Sequence, residues 1–335
     1  MKRKKNYKPA IFLATVVIAA TSGMVYMTGL PKPGASGGTK ATEDDVLFLE
    51  RDAEQIKEDI LFQCDEVGRR TSRFSPQQKK FNEWMEYTLT GNRFEVTVQD
   101  YPANNSRGRN VIGVRRGELP GAVVVGTHYD SYGKGPCANA SASGVATVTA
   151  LARRFANLRP KKTLILAFFG TGERPHRGKE TAGAAVWLKK AQEDGLQIDL
   201  ALLVGSYGIY LDVPDSQLST VPWKFVAPST ADWVGIYGDL LGRSTVVEML
   251  EHWGQVTDLP ARGFATPAWL PGIPAEDQVP FQEAGIPAVL FSDSGKERTP
   301  SIRTQYDSPY EIDYVEMARR VKALGDVVER CVTAN

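Results

Sequence analysis

Three short stretches hold residues able to do chemistry. His128-Tyr129-Asp130-Ser131 follows a β-branched run, Gly172-Glu173-Arg174-Pro175 follows a second apolar run, and Ser292-Asp293 opens a polar loop that reaches Asp307. A histidine that binds a metal needs its second ring nitrogen fixed by an acceptor, and a nearby carboxylate supplies one. His128 is therefore a candidate ligand, with Asp130 orienting it. A glutamate at a strand end, as at Glu173, is a candidate general base for activating water. Taken alone, a His-x-Asp pair is more often a hydrogen-bonded loop pair than a metal site. Histidine is scarce (His128, His176 and His252), and so is cysteine (Cys64, Cys137 and Cys331). That excludes a cysteine-rich zinc site and a disulfide framework. One bridge, Cys64 to Cys331, stays open if the first and last helices meet.

The surrounding pattern says what positions these residues. Amphipathic spacing predicts helices over 43–65 and 76–90, with Ser75-Pro76 opening the second. Alternation predicts strands over 94–101 and 110–115. The runs 122–127 and 163–169 read as buried parallel strands. Further strands are expected at 198–204, 233–237 and 287–291. Helices are expected from about Ser143, over 180–193, over 244–256 and over 314–331, with Asp313 capping the last. Strands alternating with helices imply a three-layer α/β/α domain around a mostly parallel mixed sheet. In such sheets the site lies at the carboxyl ends of the strands, where strand order reverses. The candidate residues fall there.

The amino-terminal segment reads as an address. Residues 1–9 form a basic flank containing KRKKNYK, residues 10–30 carry no charge, and 31–42 are a Pro/Gly/Ser linker to a domain at 43–335. The uncharged stretch is long enough to span a bilayer, and its basic flank points to export of the domain at 43–335. Two readings remain open, a membrane anchor and a cleaved signal peptide. Either places the domain outside the cytoplasm. The chain's composition is that of an ordinary globular protein, 42% hydrophobic and 24% charged. Forty basic residues against 39 acidic ones give no sign of a nucleic-acid partner.

Four segments together resemble the M28 family of zinc peptidases. They are GTHYDSYGKGPCANASASGVATVTALAR, LILAFFGTGERP, PAWLPGIPAEDQVPFQEAGIPAVLFSD and RTPSIRTQYDSPYEIDYVEMAR, in the family's order. The resemblance implies the zinc-exopeptidase fold over about residues 45–333. It also implies a two-zinc site whose ligands are a histidine, a bridging aspartate, a glutamate, a further acidic residue and a late histidine. On this likeness His128 matches the first ligand, Asp130 its partner and Glu173 the general base. The other ligand positions fall on Ala140, Arg174, Leu202 and Arg303, and the histidine of Ser-Asp-His falls on Gln278 beside a retained Asp277. Zinc needs about four N, O or S donors; alanine and leucine donate nothing, and arginine repels the metal. Glutaminyl cyclases share the fold and use one zinc, but their ligand positions are Ala140, Arg174 and Arg303 here. The resemblance therefore implies no resident cofactor.

The leading expectation is a catalytically inactive relative acting as a binding or scaffold module. Arg174 and Arg303 would plug the former metal pocket by pairing with Glu173, Asp130 or Asp293, or would bind a peptide or other carboxylate-bearing ligand; alternatively Arg174 faces solvent. A second reading keeps a zinc peptidase through substitute ligands, with His176 a spare donor. A third is metal-free hydrolysis by Cys137 with His128. The wall segment Trp269-Leu270-Pro271-Gly272 is a further candidate ligand contact.

Overall fold

The computed structural model describes residues 43–71, 76–133, 135–220, 223–225, 227–266, 274 and 276–334. The uncharged segment 10–30, the linker 31–42 and the wall segment 269–272 lie outside them. Among the described residues no helix is long and apolar enough to cross a membrane.

Among the described residues eight strands form one sheet in the order β1-β2-β4-β3-β5-β8-β6-β7. They are β1 (Glu95–Ala103), β2 (Ser106–Arg115), β3 (Leu119–His128), β4 (Lys162–Phe169), β5 (Ile198–Val204), β6 (Val234–Gly238), β7 (Ala261–Ala265) and β8 (Ala288–Ser292). The centre, β4-β3-β5-β8, is parallel; β2 runs antiparallel to β4, β6 antiparallel to β8, and β7 parallel to β6. The central strands are apolar on both faces, because helices cover both. Val123 and Val125 of β3, Leu164 and Leu166 of β4, and Leu202 and Val204 of β5 face one core. Ala122 and Val124, Ile165 and Ala167, and Ala201 and Leu203 face the other. Each fully buried valine or leucine contributes about 1.5–3 kcal/mol.

The first core is closed by α1 (Glu43–Leu61), α2 (Pro76–Gly91), α3 (Ser143–Arg154), α5 (Arg243–Val256) and α7 (Tyr314–Thr333). In α1 the buried stripe is Ala53, Ile56 and Ile60, the helical period read from the sequence. Asp313 caps α7, accepting from the N–H of Glu316 at 3.0 Å. The second core is closed by α4 (Gly183–Glu193) and the short α6 (Val279–Glu283). α4 starts three residues later than the sequence suggests. Gly183 is pressed against the β4 loop: its N–H donates to the carbonyl of Gly170 at 2.8 Å, and a Cβ would sit 2.1 Å from that oxygen. β7 and α6 are not evident from sequence pattern; Arg262 and Gly263 break the alternation in β7, whose strand character comes from pairing with β6.

The bridge between Cys64 and Cys331 does not form. α1 packs on α7, but Cys64 lies past the end of α1 with its Sγ toward the carbonyl of Pro136, whereas Cys331 lies 3.7 Å from Nδ1 of His252. All three cysteines are free.

Strand order reverses at β3. The chain leaves β3 through α3 to reach β4 on one side, then returns from β4 through α4 to β5 on the other. The crevice lies above the carboxyl ends of β3, β4, β5 and β8.

Candidate functional site

His128 is the last residue of β3, and its ring is buried. Its Nδ1 lies 3.0 Å from Oδ2 of Asp277, which stands just before α6. Its Nε2 lies 3.6 Å from Oε1 of Glu173 and makes no hydrogen bond. Burial alone would lower the imidazole pKa. The Asp277 charge and hydrogen bond, then Glu173, overcome that and raise it well above the ordinary value.

Asp130 does not orient His128, contrary to the sequence reading; Asp277 does. Asp130 instead accepts from the backbone N–H groups of Gly172 at 2.7 Å and Glu173 at 3.1 Å. It thereby fixes the loop that presents Glu173. The two-residue spacing sends Asp130 past the ring, toward the adjacent β4 loop. Gly172 is required where that loop crosses β3, since a Cβ there would lie 2.2 Å from the Cβ of His128. Burial pushes the Asp130 carboxyl up to about 6.

The Glu173 carboxylate is covered by Arg303, whose Nε donates to Oε1 at 2.5 Å. Burial would raise its pKa, but the contacts with His128 and Arg303 lower it. Arg303 also donates from Nη2 to Oε1 of Glu276 at 2.9 Å, and Arg177 donates to the same oxygen. Burial would again raise the Glu276 carboxyl; Arg177 and then Arg303 hold it down, to about 2. Its second oxygen, Oε2, is buried without a hydrogen bond.

Arg303 is aimed by its own loop. Its backbone is left-handed, φ +63°, a conformation uncommon for a residue with a side chain. Its N–H donates to Oδ2 of Asp307 at 2.9 Å, and the same carboxylate accepts from the N–H groups of Asn139 at 2.7 Å and Ala140 at 3.2 Å. Asp307 thus ties the loop carrying Arg303 to the turn before α3.

Other expected residues sit elsewhere. Arg174 is exposed, and Arg177 reaches the pocket in its place. The turn closed by the N–H of Arg177 on the carbonyl of Glu173 brings Arg177 back over the site. Leu202 lies in the middle of β5, in register with Val125 and Val289, and its side chain is core. The position beyond β5 that faces the pocket is Gly205, where a Cβ would lie 3.0 Å from Oε2 of Glu276. Ala140 is buried with Cys137 and Ile302. The Cys137 thiol donates to the carbonyl of Tyr132 at 3.2 Å, and burial pushes it up to about 11. No hydrogen bond joins it to His128 among the described residues. Nδ1 of His176 is bound to Thr181 at 3.0 Å, away from the crevice residues. Among the described residues no arginine donates to Asp293; it accepts from Asn139 and from the N–H groups of Gly208, Ile209 and Gly295. Gln278 closes its own turn, donating to the carbonyl of Pro274.

Sequence reasoning missed Glu276 and Arg177 as members of the site. The consecutive acids Glu276-Asp277 carried a signal. Arg177 carried none, because only the turn after Glu173 brings it back.

These residues do not fit a metal as they are arranged. One oxygen of each carboxylate that would donate to a cation, Oε1 of Glu173 and Oε1 of Glu276, is already engaged by a guanidinium group. Ala140 and Gly205 offer no donor atom, and among the described residues no group of three or more His, Cys, Asp or Glu side chains is placed to hold a metal ion.

The comparisons with known proteins agree with this architecture. The profile of Peptidase family M28 matches residues 110–220, which include His128 and Glu173. An Escherichia coli (strain K12) protein named Uncharacterized protein YfbL is 24% identical over 280 residues, spanning 80% of this chain and 85% of its own. BSAP, a zinc aminopeptidase from Bacillus subtilis, superposes with a TM-score of 0.67 at 14% identity, over 84% of this chain and 95% of that one. LapB from Legionella pneumophila gives 0.66 at 14%, over 88% and 77%. Porphyromonas gingivalis glutaminyl cyclase gives 0.60 at 18%, over 84% and 97%. The class is thus an M28-peptidase-like domain with the fold of zinc aminopeptidases and glutaminyl cyclases.

Proposed function

We propose that this chain is an exported M28-peptidase-like domain without peptidase activity, serving as a binding or scaffold module. One observation carries the reading: Arg303 Nε sits on Oε1 of Glu173, the residue in the general-base position. A general base must take a proton from the attacking water, and here a fixed cation occupies one of the two Glu173 oxygens and, with His128, lowers the basicity of the carboxylate. The charges inside the pocket also balance without a ligand, with Arg177 and Arg303 facing Glu173 and Glu276 and His128 facing Asp277. That favours a closed plug over an anion site.

A cleft of about 380 Å³ opens beside the plug, walled by Arg177, Lys179, Glu180, Val279 and Glu283. Its mixed charges and apolar floor suit a peptide segment, and it is the surface on which a partner would be sought. The basic residues 2–8 and the uncharged run 10–30 support export, and attachment to the membrane if the run is retained.

The test is hydrolysis of a panel of aminoacyl-amidocoumarins by the full-length chain, with and without added zinc. The expected result is no zinc-dependent release of fluorophore. Turnover that requires zinc and disappears in His128→Ala overturns the proposal.

A further inference from the structure

The cleft beside the plug lies between the loop after β4 and α6. Its walls are apolar, with Ala182, Ala184 and Ala185 at the start of α4 and Val279 and Pro280 in α6. Alanines on the α4 side leave the space between them open. Six charged side chains also line it. Three are engaged within the protein, Arg177 with Glu276 and Asp277 with His128. The other three, Lys179, Glu180 and Glu283, are exposed, and none makes an ion pair among the described residues.

The charge left over is acidic. Two carboxylates stand against one ammonium at the mouth. Behind them Glu276 stays ionised, because Arg177 and Arg303 outweigh its burial. The Glu276 side chain is 8% exposed, and its buried Oε2 accepts no hydrogen bond.

We propose that this cleft is a subsite for a basic side chain, the lysine or arginine of a peptide segment on a partner protein. The proposal deepens the reading of the domain as a binding module and rests on it. A basic side chain has two parts, and the cleft matches both. Its methylene stem covers the alanine, valine and proline walls. Its cationic head takes Glu180 and Glu283. A head that reaches Glu276 also satisfies Oε2, an acceptor that is costly to leave unmet in a buried place.

An acidic segment finds no such place. Arg177 and Arg303 are already committed to Glu276 and Glu173, and Lys179 is outnumbered. The free amino end of a peptide carries the right charge but has no methylene stem to cover the walls.

The experiment is calorimetric titration of the full-length chain in mild detergent with blocked tripeptides. The probes are N-acetyl-Ala-Lys-Ala-amide, N-acetyl-Ala-Arg-Ala-amide and the counterpart with norleucine in the middle, which keeps the stem and lacks the charge. Unblocked Ala-Ala-Ala-amide is the control for a free amino end. The lysine and arginine peptides are expected to bind at least about tenfold tighter than either of the others. The double variant Glu180→Gln/Glu283→Gln should lose most of that preference. Both carboxylates are exposed, so this variant should melt within ~2 °C of the wild type. Ala185→Trp, which fills the cleft, should bind none of the peptides.

Equal binding of the lysine and norleucine peptides overturns the proposal, as does a double variant that keeps the wild-type preference. Tightest binding of the unblocked peptide overturns it in favour of a site for amino ends. Absence of binding by every peptide overturns it as well. Each mixture is also incubated with zinc and read by mass spectrometry. Zinc-dependent trimming of the unblocked peptide overturns the inactive-domain reading, whereas loss of the basic preference without trimming overturns this inference alone.

Discussion

Glu173 and Arg303 stand 130 residues apart in the chain and meet through Oε1 and Nε at 2.5 Å. One rides the loop after β4, the other the loop after β8, so the contact staples together two of the strand ends that form the crevice. The Glu173 side chain is 3% exposed and that of Arg303 is 21% exposed. Breaking such a pair from one side leaves the other charge poorly solvated. Glu173→Gln should destabilise the fold by about 2–3 kcal/mol, below the range for fully buried pairs because Arg303 retains some water. In urea unfolding, a double-mutant cycle with Arg303→Gln should return a coupling of about 1.5–3 kcal/mol. A coupling within error of zero would mean the two side chains do not depend on one another.

The two neighbouring arginines separate by a different measurement. Arg174 is exposed, whereas Arg177 donates to the buried Glu276 carboxylate. Arg174→Ala should change stability by less than about 0.5 kcal/mol, as surface substitutions generally do. Arg177→Ala should cost about 1–3 kcal/mol by stripping one hydrogen-bonded cation from a buried carboxylate. Equal effects would contradict the placement of the turn after Glu173.

This contrast shows what the sequence could and could not reveal. The central strands were legible because they are apolar on both faces over short runs, as in Val123-Val124-Val125 and Leu164-Ile165-Leu166. His128 and Glu173 were legible because each closes such a run. Which arginine enters the pocket was not, since Arg174 and Arg177 share one turn and its path is set by tertiary contacts. The pairing of His128 with Asp277, across 149 residues, was equally hidden: the local Asp130 offered the same chemistry, and only the fold sends it to the Gly172 and Glu173 backbone. Leu202 was misplaced because residues 200–204 of β5 read as uniformly apolar, so nothing marked Gly205 as the position facing the pocket.

Cys137 offers a prediction from its pKa. Burial pushes the thiol up to about 11, and it donates to the carbonyl of Tyr132. At pH 8 only about one thiol in a thousand is ionised, and the thiolate is the nucleophile. Iodoacetamide should therefore leave Cys137 unmodified in the native protein, as read by peptide mass spectrometry, and should modify it on unfolding in urea. Rapid native alkylation at pH 8 would revive hydrolysis through this thiol.

Asp307 supplies the sharpest test of how Arg303 is aimed. Its two oxygens accept three backbone N–H groups, from Asn139, Ala140 and Arg303. Asparagine keeps the shape but offers only one acceptor oxygen, and its NH2 would confront at least one of those donors. Asp307→Asn should therefore cost about 2–3 kcal/mol, much of it from backbone N–H groups left unmatched in a buried place. The loss should be local as well as global. Amide exchange at Arg303 and Asn139 should accelerate before the β3 and β4 amides respond, because the loop opens while the sheet holds. If those loop amides exchange as slowly as in the wild type, the loop is held by its apolar contacts around Ile302, and the left-handed backbone at Arg303 needs another support.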